Sequence, residues 1–590
     1  MLADSPDLGL KNPVKLSFLY DDFSGGMCRN IDPSGIEDNE YALLINGRNR
    51  YGNLAPIKGL TERSTEIPAG KYQAIFGFDS IMLVFISGVP FVRDFAQVGS
   101  VFQQVPGVFL SETVDEIFAA AVPSSWMNLQ RKLEDGETTS SQLAFYSEVF
   151  GTPAAIVCQD GISRPYLIFS SGQARLAKNF AEWSNDELDG IDKREYVPVG
   201  KQMLYSPEGI LYTISADGTE IYRSVTGRPL DYVVAIDSNG DKLTPLSSGK
   251  EEASRTSYKI DFSKITCLAE VGAPPRIAEE GQGFFVSTRK KSWLVFPNFG
   301  STIFGEPTFS NQGLFPTGGV NNNSIIDILG DKALTTETGI TSFNSVLAVS
   351  NEGKNAPFHD KIFKLFELGQ DQIIQTTTAS ISSDNYGFMA VDTVYGPAIL
   401  VYDALRRQHT AIDIYPEVSG KIKQFAEVKV NGQRFLYFIT TGNQMFEMFS
   451  GEIQTMKVYL KEVTSPETAE KEILPRRARV VLNNAVSGGT ITITPYVDSK
   501  AGTPVSRTYE AATSVNTIPI APPFGANTAD DIDNKTFDFS QQNIGNIAGL
   551  YIELTGSAEI DRVEFVCETK ERKVSQQDAA QIFAEIKGTL

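Results

Sequence analysis

DNYGFMAVDTVYGPAILVYDALRRQHTAIDIYPEVSGKIKQFAEVKVNGQRFLYFITTGNQMFEMF, residues 384–449, is the stretch that sets the fold class. Tyr386, Phe388, Ala390, Asp392 and Val394 alternate at period two. A Gly-Pro break then leads into Ile399-Leu400-Val401-Tyr402. After a charged turn come Ile412 and Ile414, then a run from Phe425 to Val430. Asn431-Gly432 joins that run to Phe435-Leu436-Tyr437-Phe438-Ile439, and Met445 to Phe449 closes the series. Short apolar runs separated by Gly, Asn, Asp and Pro mark the antiparallel strands of a meander. Asn-Gly is the strongest of these signals, because both central residues of a tight hairpin turn need positive φ.

Similar units recur upstream: Gln73–Phe95, Ala154–Phe169, Gln202–Ser224, Gly283–Phe296 and Ser324–Phe343. Their spacing is irregular, roughly 40 to 80 residues against the regular period of the common repeat families. The chain is therefore expected to be mainly β, an irregular β-propeller of six or seven blades over residues 71–455. A length of 590 residues agrees, since it exceeds what one growing core supports.

Residues 1–70 read as an extended N-terminal segment, with turns at Gly25-Gly26 and Pro33-Ser34-Gly35. Glu37, Asp38 and Glu40 crowd the start of a short apolar run, so a helix is expected over Ile36–Leu44. Residues 108–150 read as a helical insertion between blades. Ser111 is its cap, Val114, Ile117, Phe118 and Ala121 form its apolar face, and a second short helix runs from Trp126 to Leu133. Residues 456–475 read as a linker or domain edge. Clean alternation on either side of a long polar insert makes residues 476–570 a β-sandwich-like domain. Residues 571–590 suit an amphipathic terminal helix capped by Ser575, with Ile582, Phe583 and Ile586 on one face.

Composition narrows function. The net charge is −20, 52 basic against 72 acidic residues, which opposes sequence-specific DNA binding because phosphate contacts need clustered Lys and Arg. The same acidity suits a channel through which DNA must slide without sticking. Cys28, Cys158, Cys267 and Cys567 are scattered, without metal-ligand or disulfide spacing. Only His359 and His409 are present, too few for most hydrolase and metal chemistry. No secretory signal and no apolar run long enough to span a membrane are seen, so a soluble protein made in the cytoplasm is expected.

Local motifs give no reactive site. Asp237-Ser-Asn239-Gly-Asp241 starts like a calcium loop but has Lys242 and Ser248 at the decisive positions, so it reads as a turn. Gly281-Gln-Gly283 opens no helix after a strand, which rejects a dinucleotide fingerprint. Arg476, Arg477 and Arg479, with Lys471, form the densest basic cluster and suit a solvated face or ion pairs between subunits. Asn322-Asn323-Ser324 matches a glycosylation acceptor, without meaning in a chain of this kind. No catalytic, cofactor-binding or metal-binding residue is assigned, no cofactor is expected, and the chain reads as a non-enzyme.

Three stretches resemble a known family. Phe23-Ser24-Gly25-Gly26, Asp38-Asn39-Glu40, Asn46-Gly47-Arg48 and Gly52 resemble the opening of head-to-tail proteins of tailed phages. Tyr222-Arg223-Ser224-Val225, Gly227 and Pro229-Leu230-Asp231-Tyr232 look like a blade of tail-tube or nozzle propellers. Thr336-Glu337-Thr338-Gly339-Ile340-Thr341-Ser342-Phe343 and Asn385-Tyr386 through Val401-Tyr402-Asp403 resemble later blades. The resemblance implies a virion structural protein, the distal tail nozzle ring of a short-tailed bacteriophage. Such a ring, typically a homohexamer, extends the channel, retains the genome and lets it pass at ejection. Implied partners are portal and adaptor ring proteins, tail fibres or spikes, and double-stranded DNA crossing the lumen. On this reading acidic residues repel DNA in the lumen, and loops such as Pro297–Asn323 pack on neighbours, line a gate or cover a blade. The alternatives are a receptor- or glycan-binding propeller of the tail tip and a polysaccharide-degrading tail enzyme.

Overall fold

The computed structural model describes residues 14–122, 155–230, 263–270, 284–297, 309–342, 360–366, 379–464, 471–510 and 533–571, apart from residues 51, 170–171, 173, 178–196, 207–208, 225–228, 316–317, 329–330, 337–338, 486–487 and 540–543.

Seven antiparallel blades follow one another along the described chain, six as separate small sheets and blade 6 as one end of a twelve-stranded sheet. Blade 1 holds Tyr72–Phe78, Ile81–Ile86, Val89–Asp94 and Gln103–Gln104; blade 2 holds Phe118–Val122, Ala155–Gln159, Tyr166–Phe169 and Ala174–Leu176. Blade 3 is Gly200–Tyr205, Leu211–Ser215 and Ile221–Arg223. Blade 4 is Ile265–Glu270, Phe284–Thr288, Ser292–Pro297 and Phe309–Phe315. Blade 5 is Ile326–Ile328, Asp331–Thr336 and Gly339–Ser342; blade 6 is Ser380–Ser383, Tyr386–Thr393, Gly396–Asp403 and Gln408–Asp413. Blade 7 is Ile422–Val430, Gln433–Thr440 and Met445–Glu447, and its fourth strand, Thr61–Glu62, comes from the other end of the sequence.

The first strand of each blade is its inner one. These inner strands touch their neighbours around the ring, with Asn322–Ser324 making the contact between blades 4 and 5, and Ile422–Val430 meets Tyr72–Phe78 to close the circle. Here two backbones come so close that a Cβ on Gly77 would collide with the carbonyl of Glu427. The fold is thus an irregular β-propeller whose closing blade is completed by an N-terminal strand.

One local device recurs around the inner circle. The register slips near the start of four inner strands, at Gln73, Gln202, Thr266 and Lys423. A bulge of this kind re-aims one side chain out of the ladder. Gln202 Nε2 donates to Thr266 O of the next blade (2.7 Å), and Thr266 Oγ1 to Gly319 O (2.6 Å). Gln73 Nε2 donates to Ser111 O (2.8 Å), on the way to blade 2. Lys423 Nζ donates to Tyr72 O across the closing seam (3.0 Å). Blade 2 makes the equivalent link from its second strand, through Gln159 Nε2 to Lys201 O (2.8 Å).

The sandwich is built from both ends of the chain. Its first sheet pairs Lys471–Asn483 with Glu559–Glu571, flanked by Asp533–Asp538, by Lys15–Tyr20 and by Gly47–Arg50 with Asn53–Pro56. The second runs through Glu40–Ile45, Met456–Leu460, Ile547–Leu554 and Gly489–Val497. Strict alternation along Gly489–Val497 puts Ile491 and Ile493 inward against Val480, Leu482, Val563 and Phe565 of the other sheet. This is the expected pattern of a sheet with one buried face. Burial of these side chains stabilises the domain by about 25 cal/mol per Å² of apolar surface.

Five expectations change. Residues 36–39 are a turn, and Glu40–Ile45 is a strand. Residues 111–117 are irregular and Phe118–Val122 is the first strand of blade 2, paired with Ala155–Gln159. Met456–Leu460 and Val463–Thr464, placed in a linker, are strands of the sandwich, and Lys471 already belongs to the sandwich strand Lys471–Asn483. Residues 1–70, read as an extended entry segment, supply strands to the sandwich and to blade 7. Phe309–Phe315, inside the loop assigned to 297–323, forms the outer strand of blade 4. The helix from Trp126 to Leu133 and residues 572–590 of the terminal helix expected over 571–590 lie outside the described residues, while Glu571 ends the strand Glu559–Glu571.

Candidate functional site

Residues 24–48 of the N-terminal segment converge on one place, around the outer strand of blade 6. Gly26, in the left-handed region at φ 79°, lies where any Cβ would meet Gln408 and the carbonyl of His409. Gln408 donates back to Ser24 O, and Gly25 N donates to Asn39 O (3.0 Å). Glu40, buried, pairs with Lys361 (2.5 Å) from the 3-10 turn Asp360–Leu365, whose carbonyl at Lys361 also takes the N–H groups of Arg29 and Asn30.

Asn46 completes this clamp. With φ at 53°, its side chain imitates a strand: Nδ2 donates to Ile414 O (3.2 Å), while Oδ1 accepts from Ile414 N (2.8 Å). Ile45 bridges Ile412 in parallel, and Tyr41 Oη donates to Thr410 O (2.8 Å). Through Glu40–Ile45 the sheet of blade 6 runs on into the second sheet of the sandwich.

Arg48 is the centre of the junction. Its guanidinium forks onto Asp413, Nη1 to Oδ1 at 2.7 Å and Nη2 to Oδ2 at 2.5 Å, with side-chain exposures of 7% and 0%. Burial works against the charge on Arg48. The Asp413 carboxylate and its hydrogen bonds outweigh that cost and hold Arg48 above its ordinary value. The cation also faces two rings, 5.5 Å from the centroid of Phe449 and 5.7 Å from that of Phe388. Phe449 has φ of 58°, a conformation that costs a non-glycine residue on the order of 1–3 kcal/mol and is kept only where its surroundings impose it.

Over this floor opens a cleft of about 780 Å³, bounded by blades 6 and 7, the N-terminal strand Asn53–Pro56 and the sandwich. A smaller cavity of about 210 Å³ lies between blade 6 and the start of blade 7, beside Tyr415 and the Asp392–Lys421 ion pair (2.7 Å). At the closing seam, Lys71 pairs with Asp115 (2.8 Å). Burial there raises the Glu116 carboxyl and lowers the Lys423 ammonium relative to their ordinary values.

The remaining sequence candidates fall into structural roles. Arg476 pairs with Glu568 (2.6 Å) and Arg477 with Asp538 (2.7 Å), so these two cations stitch neighbouring strands of the first sandwich sheet. Asn322 Oδ1 accepts from Leu268 N (2.9 Å), tying blade 5 to blade 4. His409 is buried with its ring 5.0 Å from that of Tyr402. All four cysteines are buried and unbridged. Among the described residues no three His, Cys, Asp or Glu side chains cluster as a metal site would require, and no helix is long and apolar enough to cross a membrane. His359, Asp237–Asp241 and Gly281–Gly283 lie outside the described residues. Nothing in the sequence pointed to the Arg48–Asp413 pair. Its two members are 365 residues apart in the sequence.

No family model matches this chain, and no curated protein matches it. Among solved structures it is similar to a streptogramin B lyase, at 8% identity and a TM-score of 0.33 over 66% of this chain and 96% of that one. It is also similar to a catalytically inactive virginiamycin B lyase from Staphylococcus aureus solved with quinupristin, at 9% identity and a TM-score of 0.31 over 66% of this chain and 97% of the other. A third likeness is to the extracellular domain of a one component system from B. thetaiotaomicron, at 9% identity and a TM-score of 0.38 over 79% of this chain and 49% of that one. Likenesses this distant carry nothing about chemistry.

Proposed function

We propose that this chain is a structural protein of a short-tailed bacteriophage virion, one subunit of the distal tail nozzle ring, and not an enzyme. The observation that supports this reading is the clamp. The residues through which the chain resembles head-to-tail proteins, Phe23 to Gly52, are spent on locking a propeller to a sandwich through a continuous sheet and a buried ion pair. A channel segment under the pressure of packaged DNA needs bodies that do not shear against one another, and packed, hydrogen-bonded junctions resist such motion. The net charge of −20 suits a lumen that repels phosphates and keeps friction low.

In this reading the subunits form a closed ring, six in number, against the adaptor ring on one side and fibres or spikes around it. DNA passes through without sequence-specific contact. The test is antibody against the purified chain, imaged on intact virions by electron microscopy. Label at the outer end of the tail, on one vertex, is expected. Label at fibre tips, or none on particles with accessible epitopes, overturns the assignment.

A further inference from the structure

We infer that the cleft between blades 6 and 7 and the sandwich is a binding site for a neutral oligosaccharide. Its volume, about 780 Å³, falls in the roughly 300–1,000 Å³ of small-ligand pockets. Tyr386, Phe435 and Phe449 line it and are half-buried. Such rings offer flat apolar surface to the C–H faces of a pyranose.

Of the charged groups lining the cleft, Arg48, Arg434, Asp384 and Glu447 sit in ion pairs, and Glu559 accepts a hydrogen bond from an amide. Arg434 Nε bonds Asp384 (3.0 Å), and Asn484 Nδ2 donates to Glu559 Oε2 (3.1 Å). Arg48 is neutralised beneath the floor by Asp413. A free anion would meet carboxylates as often as cations. An apolar peptide would bury these polar groups without replacing their bonds to water, at about 1–3 kcal/mol for each group left unpaired. A sugar satisfies both requirements, because vicinal hydroxyls donate and accept in the planar, paired pattern that Asp–Arg and Asn–Glu present.

The floor is also fixed in advance. Phe449 is held at positive φ, its ring 5.7 Å from that of Phe388 and faced by the forked Arg48. A site rigid before binding loses less freedom on binding. The strain at Phe449 is thereby given a use, as strained residues gather where the surrounding structure maintains a site.

The experiment is calorimetric titration of the full-length chain with short oligosaccharides built from glucose, galactose, mannose or N-acetylglucosamine. At least one is expected to bind. Arg434→Ala and Asn484→Gly are each expected to weaken that binding about tenfold or more while leaving the melting temperature unchanged. Arg434 is exposed, and Asn484 already has a glycine-compatible φ of 53°, so neither variant threatens the fold. Silence across the whole panel overturns the inference, as does a ligand whose affinity neither variant changes. The result is independent of where the protein sits on a virion, so this inference and the nozzle reading fail separately.

Discussion

Asp160 shows how much one side chain can decide. Its carboxylate accepts from the N–H groups of Ser111 (2.6 Å), Ile162 (2.8 Å) and Ser163 (2.6 Å), and from the Ser163 hydroxyl (2.8 Å). Burial alone would raise its pKa, but these donors outweigh it and lower the carboxyl below its ordinary value. A folded-state pKa below the unfolded one contributes stability that is full above the unfolded pKa and is lost as pH falls through the folded one. Asp160→Asn should therefore cost about 2 kcal/mol at neutral pH and flatten the loss of stability in acid below about pH 4. Denaturant midpoints for both chains across that range measure it. The same carboxylate explains why Ser111 caps no helix, since its N–H is taken and its hydroxyl bonds Thr113 instead (2.8 Å). The Asp160–Ser163 turn is readable as a local Asx turn. Its reach back to Ser111 is not, because that contact exists only once blades 1 and 2 lie side by side. Asp413 makes a stronger case. Truncating it to Ala strands the buried Arg48 and should cost about 3–5 kcal/mol, whereas an Arg48→Met, Asp413→Leu pair should lose far less in the same unfolding measurement.

Elements were legible where the signal was local. Asn431-Gly432 forms the expected turn, with φ of 51° and 79° between Val430 and its partner Gln433. The helix expected over Ile36–Leu44 fails for an instructive reason. Glu40–Ile45 is a strand with sheet on both sides and is buried almost throughout, so its apolar residues run together and do not alternate. The carboxylates before it serve a turn, where Glu40 Oε2 accepts from Glu37 N (3.0 Å). Likewise the spacing of Ile117, Phe118 and Ala121 fits a helix, but pairing of Phe118–Val122 to Ala155–Gln159, distant in sequence, outweighs local propensity. The strand Thr61–Glu62 is too short to be seen in sequence, yet it completes blade 7. Beside it Arg63 bonds Glu447 (2.7 Å). A chain truncated before residue 68 should fail to give a cooperative unfolding transition. Recovery of a full-length-like denaturant slope would show that ring closure does not depend on that strand. By contrast Gln202→Ala, which removes a single bulge link to Thr266, should cost only about 1 kcal/mol.

At the scale of the molecule, propeller and sandwich are distinct architectures without a separating boundary. One sheet runs from Ser380–Ser383 of blade 6 through Glu40–Ile45 to Gly489–Val497. A single apolar cluster likewise holds Phe388, Leu400 and Phe438 of blades 6 and 7 together with Ile491, Val563 and Phe565 of the sandwich. Linked domains with small, polar interfaces move and unfold separately, but here the junction is core. The two bodies should therefore melt together, as one calorimetric peak whose van't Hoff and calorimetric enthalpies agree for this shared unit. Blades 2 to 5 are tied mainly to their ring neighbours, so any earlier, smaller transition should arise there and leave the junction intact. Asp413→Ala tests the coupling directly. If the clamp is what merges the bodies, its loss should split the main peak in two. A variant that melts at lower temperature in one undivided peak would show that the continuous sheet suffices without the ion pair. The distinction bears on the nozzle reading, since a ring that must resist pressure until a signal arrives needs a junction that yields all at once or not at all.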